Sequence, residues 1–292
     1  MSSPALAAVR VAGAGYLELT KPRITLLVTL TALVGFVMAR AGAPAAGLLP
    51  SLLGTALVAA GSSALNMLLE RDTDARMRRT QARPLPSGRV RPQEALLFGS
   101  ALSLAGLALL LTLSGPLAAG VALATWASYL FIYTPLKRRT SLSTVVGAVP
   151  GALPPVIGWA AAQGRLDPGA FVLFSILFLW QIPHFLAIAW IYRDDYERGG
   201  LPMLPVLDRD GRLTGRQAVA NSLALLLVSL APAAAGMAGR VYLVGALLLG
   251  LSFCAIAVAA AVQRSISGAR WLFLASILYL TALCSILLID RQ

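Results

Sequence analysis

Nine stretches of mostly apolar residues, each about as long as a bilayer is thick, constrain this chain more than any other feature. They run Ile24–Ala39, Leu48–Leu69, Gln93–Leu113, Leu117–Thr134, Leu142–Ala162, Gly169–Trp190, Gln217–Gly236, Val241–Val262 and Trp271–Ile289. A helix needs about 20 such residues to cross the hydrocarbon core. Only 12% of the residues are charged, against ~25% in a typical soluble domain. Too few charges remain to cover a soluble surface. The expectation is a single all-α domain over residues 1–292, a polytopic bundle of about nine transmembrane helices around a central cavity open to the cytoplasmic side. Cys254 and Cys284 fall inside apolar runs and read as small buried hydrophobes, with no redox or metal-site spacing. The composition excludes a disordered, collagen-like or disulfide-framework protein.

The same apolar chain carries 24 Lys and Arg against 12 Asp and Glu. That excess belongs in loops, and its distribution orients the protein. Arg10, Lys21 and Arg23 precede the first run, and the second–third, fourth–fifth, sixth–seventh and eighth–ninth loops hold most of the rest. Only Arg40, Arg165, Arg240 and Arg291 fall on the other side. The positive-inside rule then places residues 1–23 and the loops 70–92 and 191–216 in the cytoplasm, with the C-terminus outside. The stretch after Lys21-Pro22-Arg23 is long enough to span, so no cleavable signal is expected. The absence of a transit-peptide pattern and the preference for Arg over Lys favour a bacterial plasma (inner) membrane.

Eight of the acidic residues fall in the two largest cytoplasmic loops, and there spacing becomes informative. Asn66, Glu70 and Asp74 recur every fourth residue, which places them within about 80° of arc on one helical face. They stack over roughly 12 Å. Like charges at that spacing repel, and a hard divalent cation relieves the repulsion. Mg²⁺ is typically bound by one or two carboxylates together with substrate phosphates. Arg78, Arg79 and Arg83 follow directly, with guanidinium forks suited to phosphate oxygens. A second cluster, Tyr192-Arg193-Asp194-Asp195-Tyr196-Glu197-Arg198, ends the sixth span on the same side. By itself it reads as a solvated loop. Facing the first cluster across a cavity, it could hold metal on the far side of a diphosphate. In the fourth span, Trp126, Tyr129 and Tyr133 form an aromatic stripe leading to Lys137. Such a stripe usually marks packing or an interfacial belt. Leading to a cation, it also suits a substrate with an apolar tail and anionic head, and can stabilise a carbocation.

The stretches Leu19–Ile24, Asn66–Asp74, Arg79–Leu85, Tyr133–Arg138, Gly147–Pro155, Trp180–Tyr196 and Pro202–Pro205 resemble the intramembrane prenyltransferase (UbiA) superfamily, and within it the protoheme IX farnesyltransferase (heme O synthase) branch. The superfamily's second motif is Asp-x-x-x-Asp, whereas this chain has Tyr192 and Tyr196 with Asp194 and Asp195 between. The resemblance implies transfer of farnesyl from farnesyl diphosphate to a vinyl group of heme B, with water addition, giving heme O and diphosphate. It implies Mg²⁺ as cofactor, held by Asn66, Glu70 and Asp74 on one side and by Asp194 or Asp195 on the other. Asn66, Glu70, Asp74 and Lys137 become catalytic residues, and Arg79, Arg83, Lys137 and Arg138 bind diphosphate. Trp126, Tyr129 and Tyr133 would stabilise the prenyl cation.

His184, the only histidine, reads by default as a satisfied polar group beside Pro183 at a helix kink. A heme acceptor raises its reading as a heme-binding residue, since imidazole is the commonest proximal ligand. The implied partners are farnesyl diphosphate, heme B, the lipid bilayer and a heme A synthase or oxidase assembly partner, with no nucleic acid. Pro150, Pro154 and Pro155 with Gly147 and Gly151 predict a broken or closely packed fifth helix. Two rival functions stay open. A quinone or chlorophyll precursor could be the acceptor, which the stretch from Trp180 to Tyr196 argues against. A secondary transporter of an anionic metabolite could share the spans, but its site is expected at the membrane midplane rather than the rim.

Overall fold

A computed structural model describes residues 13–40 and 47–292; Arg10 lies outside them. Among the described residues, nine helices are long and apolar enough to cross a membrane. They are α1 (Pro22–Ala39), α2 (Leu48–Leu69), α3 (Pro92–Leu113), α4 (Pro116–Leu136), α5 (Ser143–Gln163), α6 (Pro168–Ile191), α7 (Arg212–Ala234), α8 (Arg240–Gln263) and α9 (Ile266–Ile289). Proline at the first turn of α1, α3, α4 and α6 fits sequences where the missing N–H is unneeded. Asp167 caps α6, its side chain accepting from the Gly169 amide at 3.0 Å.

The helices pack as two groups joined through α5. In the first, α2 lies along α3, and α1 against the second half of α5. Small residues permit this closeness: a Cβ at Gly35 would collide with the Pro155 carbonyl, and one at Gly158 with that of Ala32. In the second, α6, α7, α8 and α9 surround Leu225, Tyr242, Phe253 and Tyr279, all buried. The first half of α5 packs on α6. The proline-rich span is both broken and closely packed, since α5 divides into Ser143–Ala152 and Pro154–Gln163 at Leu153.

One departure from regular helix matters for the site. Within α4, Ser128–Tyr133 form a π-helical turn, closed by Thr134 Oγ1 donating to the Tyr129 carbonyl at 2.8 Å. The wider turn shifts the register. Tyr129 and Tyr133 stack with ring centroids 5.5 Å apart. Trp126 turns away to donate its indole N–H to Ser103 Oγ on α3 at 3.1 Å, and meets Phe131 edge-on. The three-residue stripe expected from regular periodicity is therefore corrected to a stacked pair plus a tryptophan serving the α3–α4 contact. Of the three, only Tyr133 lines the cavity described next.

Candidate active site

At one rim of the bundle α2 ends at Leu69, but its hydrogen-bond ladder continues. The Glu70 amide donates to the Asn66 carbonyl at 2.9 Å and the Asp74 amide to the Glu70 carbonyl at 2.8 Å. The fourfold spacing of Asn66, Glu70 and Asp74 therefore survives the helix end, and all three are buried. Each meets a basic or polar partner. Lys137 Nζ lies 2.7 Å from Glu70 Oε1, and Arg83 Nη1 lies 2.7 Å from Asp74 Oδ2. Asn66 accepts from Lys21 Nζ at 3.0 Å and donates to Thr134 Oγ1 at 3.1 Å.

The electrostatics follow from these pairs. Burial works to raise the Glu70 carboxyl, but Lys137, Lys21 and Arg83 outweigh it and hold Glu70 below the ordinary glutamate value. For Lys137 burial opposes the charge, yet Glu70 leaves it raised. Among the described residues Lys21 has no carboxylate partner, and burial, with Arg83 and Lys137 nearby, lowers it to about 8. Lys21 also holds a left-handed backbone, φ 47°, immediately before Pro22. Such strain in a non-glycine residue persists only where surroundings enforce it, commonly at functional sites.

A cavity of about 170 Å³ opens beside this cluster, lined by Arg79, Tyr133, Lys137, Ser143, Phe185 and Tyr196 among others. Tyr133 lies 5.3 Å from the Lys137 ammonium. Gly147 leaves room for the Tyr133 ring, with which any Cβ there would collide. Arg79 lies over Tyr192 at 4.9 Å and Tyr196 at 5.9 Å. Ser143 is fully buried and its hydroxyl has no partner among the described residues. An unsatisfied buried hydroxyl is costly, and a substrate oxygen in the cavity would relieve that cost.

The second acidic cluster behaves differently from expectation. On the short helix Arg193–Arg198, neighbouring side chains point about 100° apart, so Asp194 and Asp195 cannot face the same way. Asp194 is 81% exposed and 3.9 Å from Arg193, so it is not brought to the cavity. Asp195 turns inward, but its carboxylate accepts the amides of Arg78 at 3.0 Å and Arg79 at 3.3 Å, with Arg198 alongside. Those bonds outweigh burial and hold its carboxyl below the usual aspartate value. It clasps the α2–α3 and α6–α7 loops together. Arg138 is exposed and donates to the Leu69 carbonyl at 2.9 Å, covering the end of α2 rather than lining the cavity.

Among the described residues no three His, Cys, Asp or Glu side chains converge as a ready-made metal cluster. The Asn66, Glu70 and Asp74 oxygens are instead a partial donor set of the kind that substrate phosphates complete around Mg²⁺. The fit is direct: each carboxylate commits one oxygen to its basic partner, and Glu70 Oε2 and Asp74 Oδ1 carry no hydrogen bond among the described residues. Lys21 and Ser143 are site residues that periodicity missed. A signal for Lys21 existed, because the chain has only two lysines and both come to this cluster.

Fold and site together define a bundle of membrane-length helices with a cavity at one rim that Arg79 and Lys137 line. The chain belongs to the UbiA prenyltransferase family, whose profile matches residues 28–286. It is 50% identical over 289 residues to a protoheme IX farnesyltransferase of Solibacter usitatus, covering 94% of this chain and 98% of the relative. With the protoheme IX farnesyltransferase of Opitutus terrae it shares 46% identity over 278 residues, 94% of each chain. A solved structure concerning digeranylgeranylglyceryl phosphate synthase superposes with a TM-score of 0.80 at 16% identity, covering 96% of this chain and 98% of that one. A UbiA homolog from Archaeoglobus fulgidus bound to GPP and Mg²⁺ superposes with a TM-score of 0.67 at 17% identity, covering 94% and 99%. Those two likenesses establish the shared fold.

Proposed function

We propose that this protein transfers the farnesyl group of farnesyl diphosphate to a vinyl group of heme B, with water addition, releasing diphosphate and forming heme O. The observation that carries the reading is the meeting of Glu70 and Asp74 with Lys137, Arg83 and Lys21 beside the cavity. The names of the relatives support farnesyl and heme as the substrates. The N-terminus is cytoplasmic in this reading, and the membrane is the plasma membrane.

Ionising an allylic diphosphate breaks the C–O bond, and the leaving group takes the electron pair. Mg²⁺ held by Glu70 and Asp74, assisted by Asn66, would supply charge neutralisation for that leaving group. Arg79, Lys137 and Arg83 line or adjoin the place where the charge develops and stabilise it without reorganising. Tyr133, rigidly backed by Tyr129, presents an aromatic face toward the allylic cation. The vinyl terminal carbon bonds to the farnesyl cation. Water then adds to the resulting cation and loses a proton, leaving a hydroxyethylfarnesyl side chain. The half-buried, aromatic-lined cavity delays water until that step.

The decisive experiment incubates the purified full-length protein with heme B, farnesyl diphosphate and Mg²⁺ and analyses the pigment by mass spectrometry. The expected product carries farnesyl plus the elements of water. Product from a quinone or chlorophyll precursor but none from heme would overturn the choice of acceptor. Magnesium-dependent release of diphosphate is expected, and its absence with every prenyl donor and acceptor tried would favour transport.

A further inference from the structure

We propose, resting on that reading of the acceptor, that His184 Nε2 ligates the heme iron and that Ser276 is the positioning residue that sets the imidazole tautomer. His184 lies on α6 against α9, with Nδ1 2.7 Å from Ser276 Oγ. A serine hydroxyl has one proton to give. Ser276 gives it to the Phe273 carbonyl at 2.6 Å, so toward His184 its oxygen can only accept. Nδ1 therefore carries the hydrogen. A second proton on the ring would make an imidazolium within a membrane span, and neither α6 nor α9 contains an acidic residue to balance it. Nε2 is left with its lone pair, the form that binds a metal.

That nitrogen is also open. It has no hydrogen bond among the described residues and is not one of the fully buried polar atoms left without a partner. A histidine serving only to bridge α6 and α9 has no use for an open, unpaired nitrogen at membrane depth, where such groups are expensive. The ring is held rigidly around it. Trp180 stacks on the imidazole at 4.7 Å, and Phe273 packs on it at 5.1 Å. The Trp180 indole N–H donates to the Ser276 carbonyl at 2.6 Å, so one residue of α9 fixes both heterocycles. Phe185 meets the imidazole edge-on at 5.6 Å and itself lines the cavity. The iron-binding nitrogen is thus one side chain away from the place proposed for diphosphate chemistry. Flat aromatic surfaces beside it suit a porphyrin.

The test uses the full-length protein in detergent, titrated with ferric heme B without farnesyl diphosphate and followed by absorption spectroscopy. The wild type should saturate with an imidazole-ligated spectrum. His184→Gln keeps a side chain that can donate to Ser276, and should lose that spectrum and regain it when free imidazole is added. Ser276→Ala should weaken heme affinity roughly 10- to 100-fold, the usual effect of removing a ligand's hydrogen-bond partner. Ser276→Thr, which keeps the hydroxyl, should bind like the wild type. An unchanged spectrum in His184→Gln, or none in the wild type, overturns ligation. Unchanged affinity in Ser276→Ala overturns the positioning role. Mass spectrometry of the same preparations separates the two readings. Farnesylated heme with a spectrum indifferent to His184 removes the ligand and leaves the transfer, whereas ligation without product from heme removes the transfer.

Discussion

In the proposed reaction the contact between Glu70 and Lys137 serves both stability and chemistry. Their side chains are 10% and 15% exposed, so neither charge is fully solvated and each depends on the other. In Glu70→Gln the Lys137 ammonium keeps its desolvation cost and loses its anion. Breaking a fully buried pair costs about 3–5 kcal/mol, and this partly open one sits at or below the low end. Adding Lys137→Met should recover most of the lost melting temperature but none of the activity. Prenyl transfer by either variant should fall by roughly two to three orders of magnitude, the range for removing a group that stabilises developing charge. Product formation and thermal melting, measured side by side, check both halves. Lys21 gives the opposite pairing. Its left-handed backbone costs about 1–2 kcal/mol relative to glycine, while its ammonium supplies charge to Asn66 and the cluster. Lys21→Gly should therefore melt within about 1 kcal/mol of the wild type yet lose most of its transfer rate. A matched fall in both would show that Lys21 is structural.

At the scale of elements, the site depends on two irregularities: the π-helical turn of α4 and the clasp between the α2–α3 and α6–α7 loops. Gly147 on α5 makes room for the Tyr133 ring that the wide turn presents. Gly147→Ala should push that ring from Lys137, since displacements near 1 Å can cost about 100-fold in rate. Its stability should fall by about 1–3 kcal/mol, the usual cost of overpacking. The steady-state rate compared with the melting curve is the check. Asp195 holds the second irregularity. Its lowered carboxyl means that its contribution is fully present above the unfolded value of 3.8 and is lost as pH falls through the lower folded value. Asp195→Asn should mimic that loss at neutral pH, loosening residues 76–80 and 192–198 by roughly 1–2 kcal/mol, visible as faster amide exchange there. These elements also mark what was legible in the sequence. Periodicity placed Asn66, Glu70 and Asp74 because α2 stays regular to its end. It misplaced Trp126 because a π turn breaks the period, and admitted Asp194 because spacing alone cannot say which of two adjacent acids turns inward. Lys21 enters through a tertiary contact across 45 residues and Ser143 through an unpartnered hydroxyl at the cavity wall, neither of which has a local pattern.

At the scale of the whole molecule, orientation and chemistry are one constraint. The nine spans and their order were readable because hydrocarbon leaves the chain few choices, and the helices found agree with the apolar runs to within a few residues except at the starts of α7 and α9. The positive charge that orients such a bundle is the charge that builds this site. Arg79, Arg83 and Lys137 belong to the same loops that carry most of the basic excess. In the proposed orientation the cavity faces the cytoplasm, and an inverted protein would present it to the wrong compartment. Impermeant maleimide labelling tests the orientation directly. Cys254 is buried and Cys284 half-buried, both within membrane spans, so the natural protein should label weakly and single added cysteines should report cleanly. Arg165→Cys and Gln292→Cys should label in intact cells, while Arg89→Cys and Arg139→Cys should label only after the membrane is opened. Arg89 already pairs with Glu18 at 2.7 Å, tying the segment before α1 to the α2–α3 loop. Labelling of Arg89→Cys in intact cells would therefore move the N-terminal segment, the acidic cluster and the cavity outside together, and the proposed cytoplasmic reaction would fail with them.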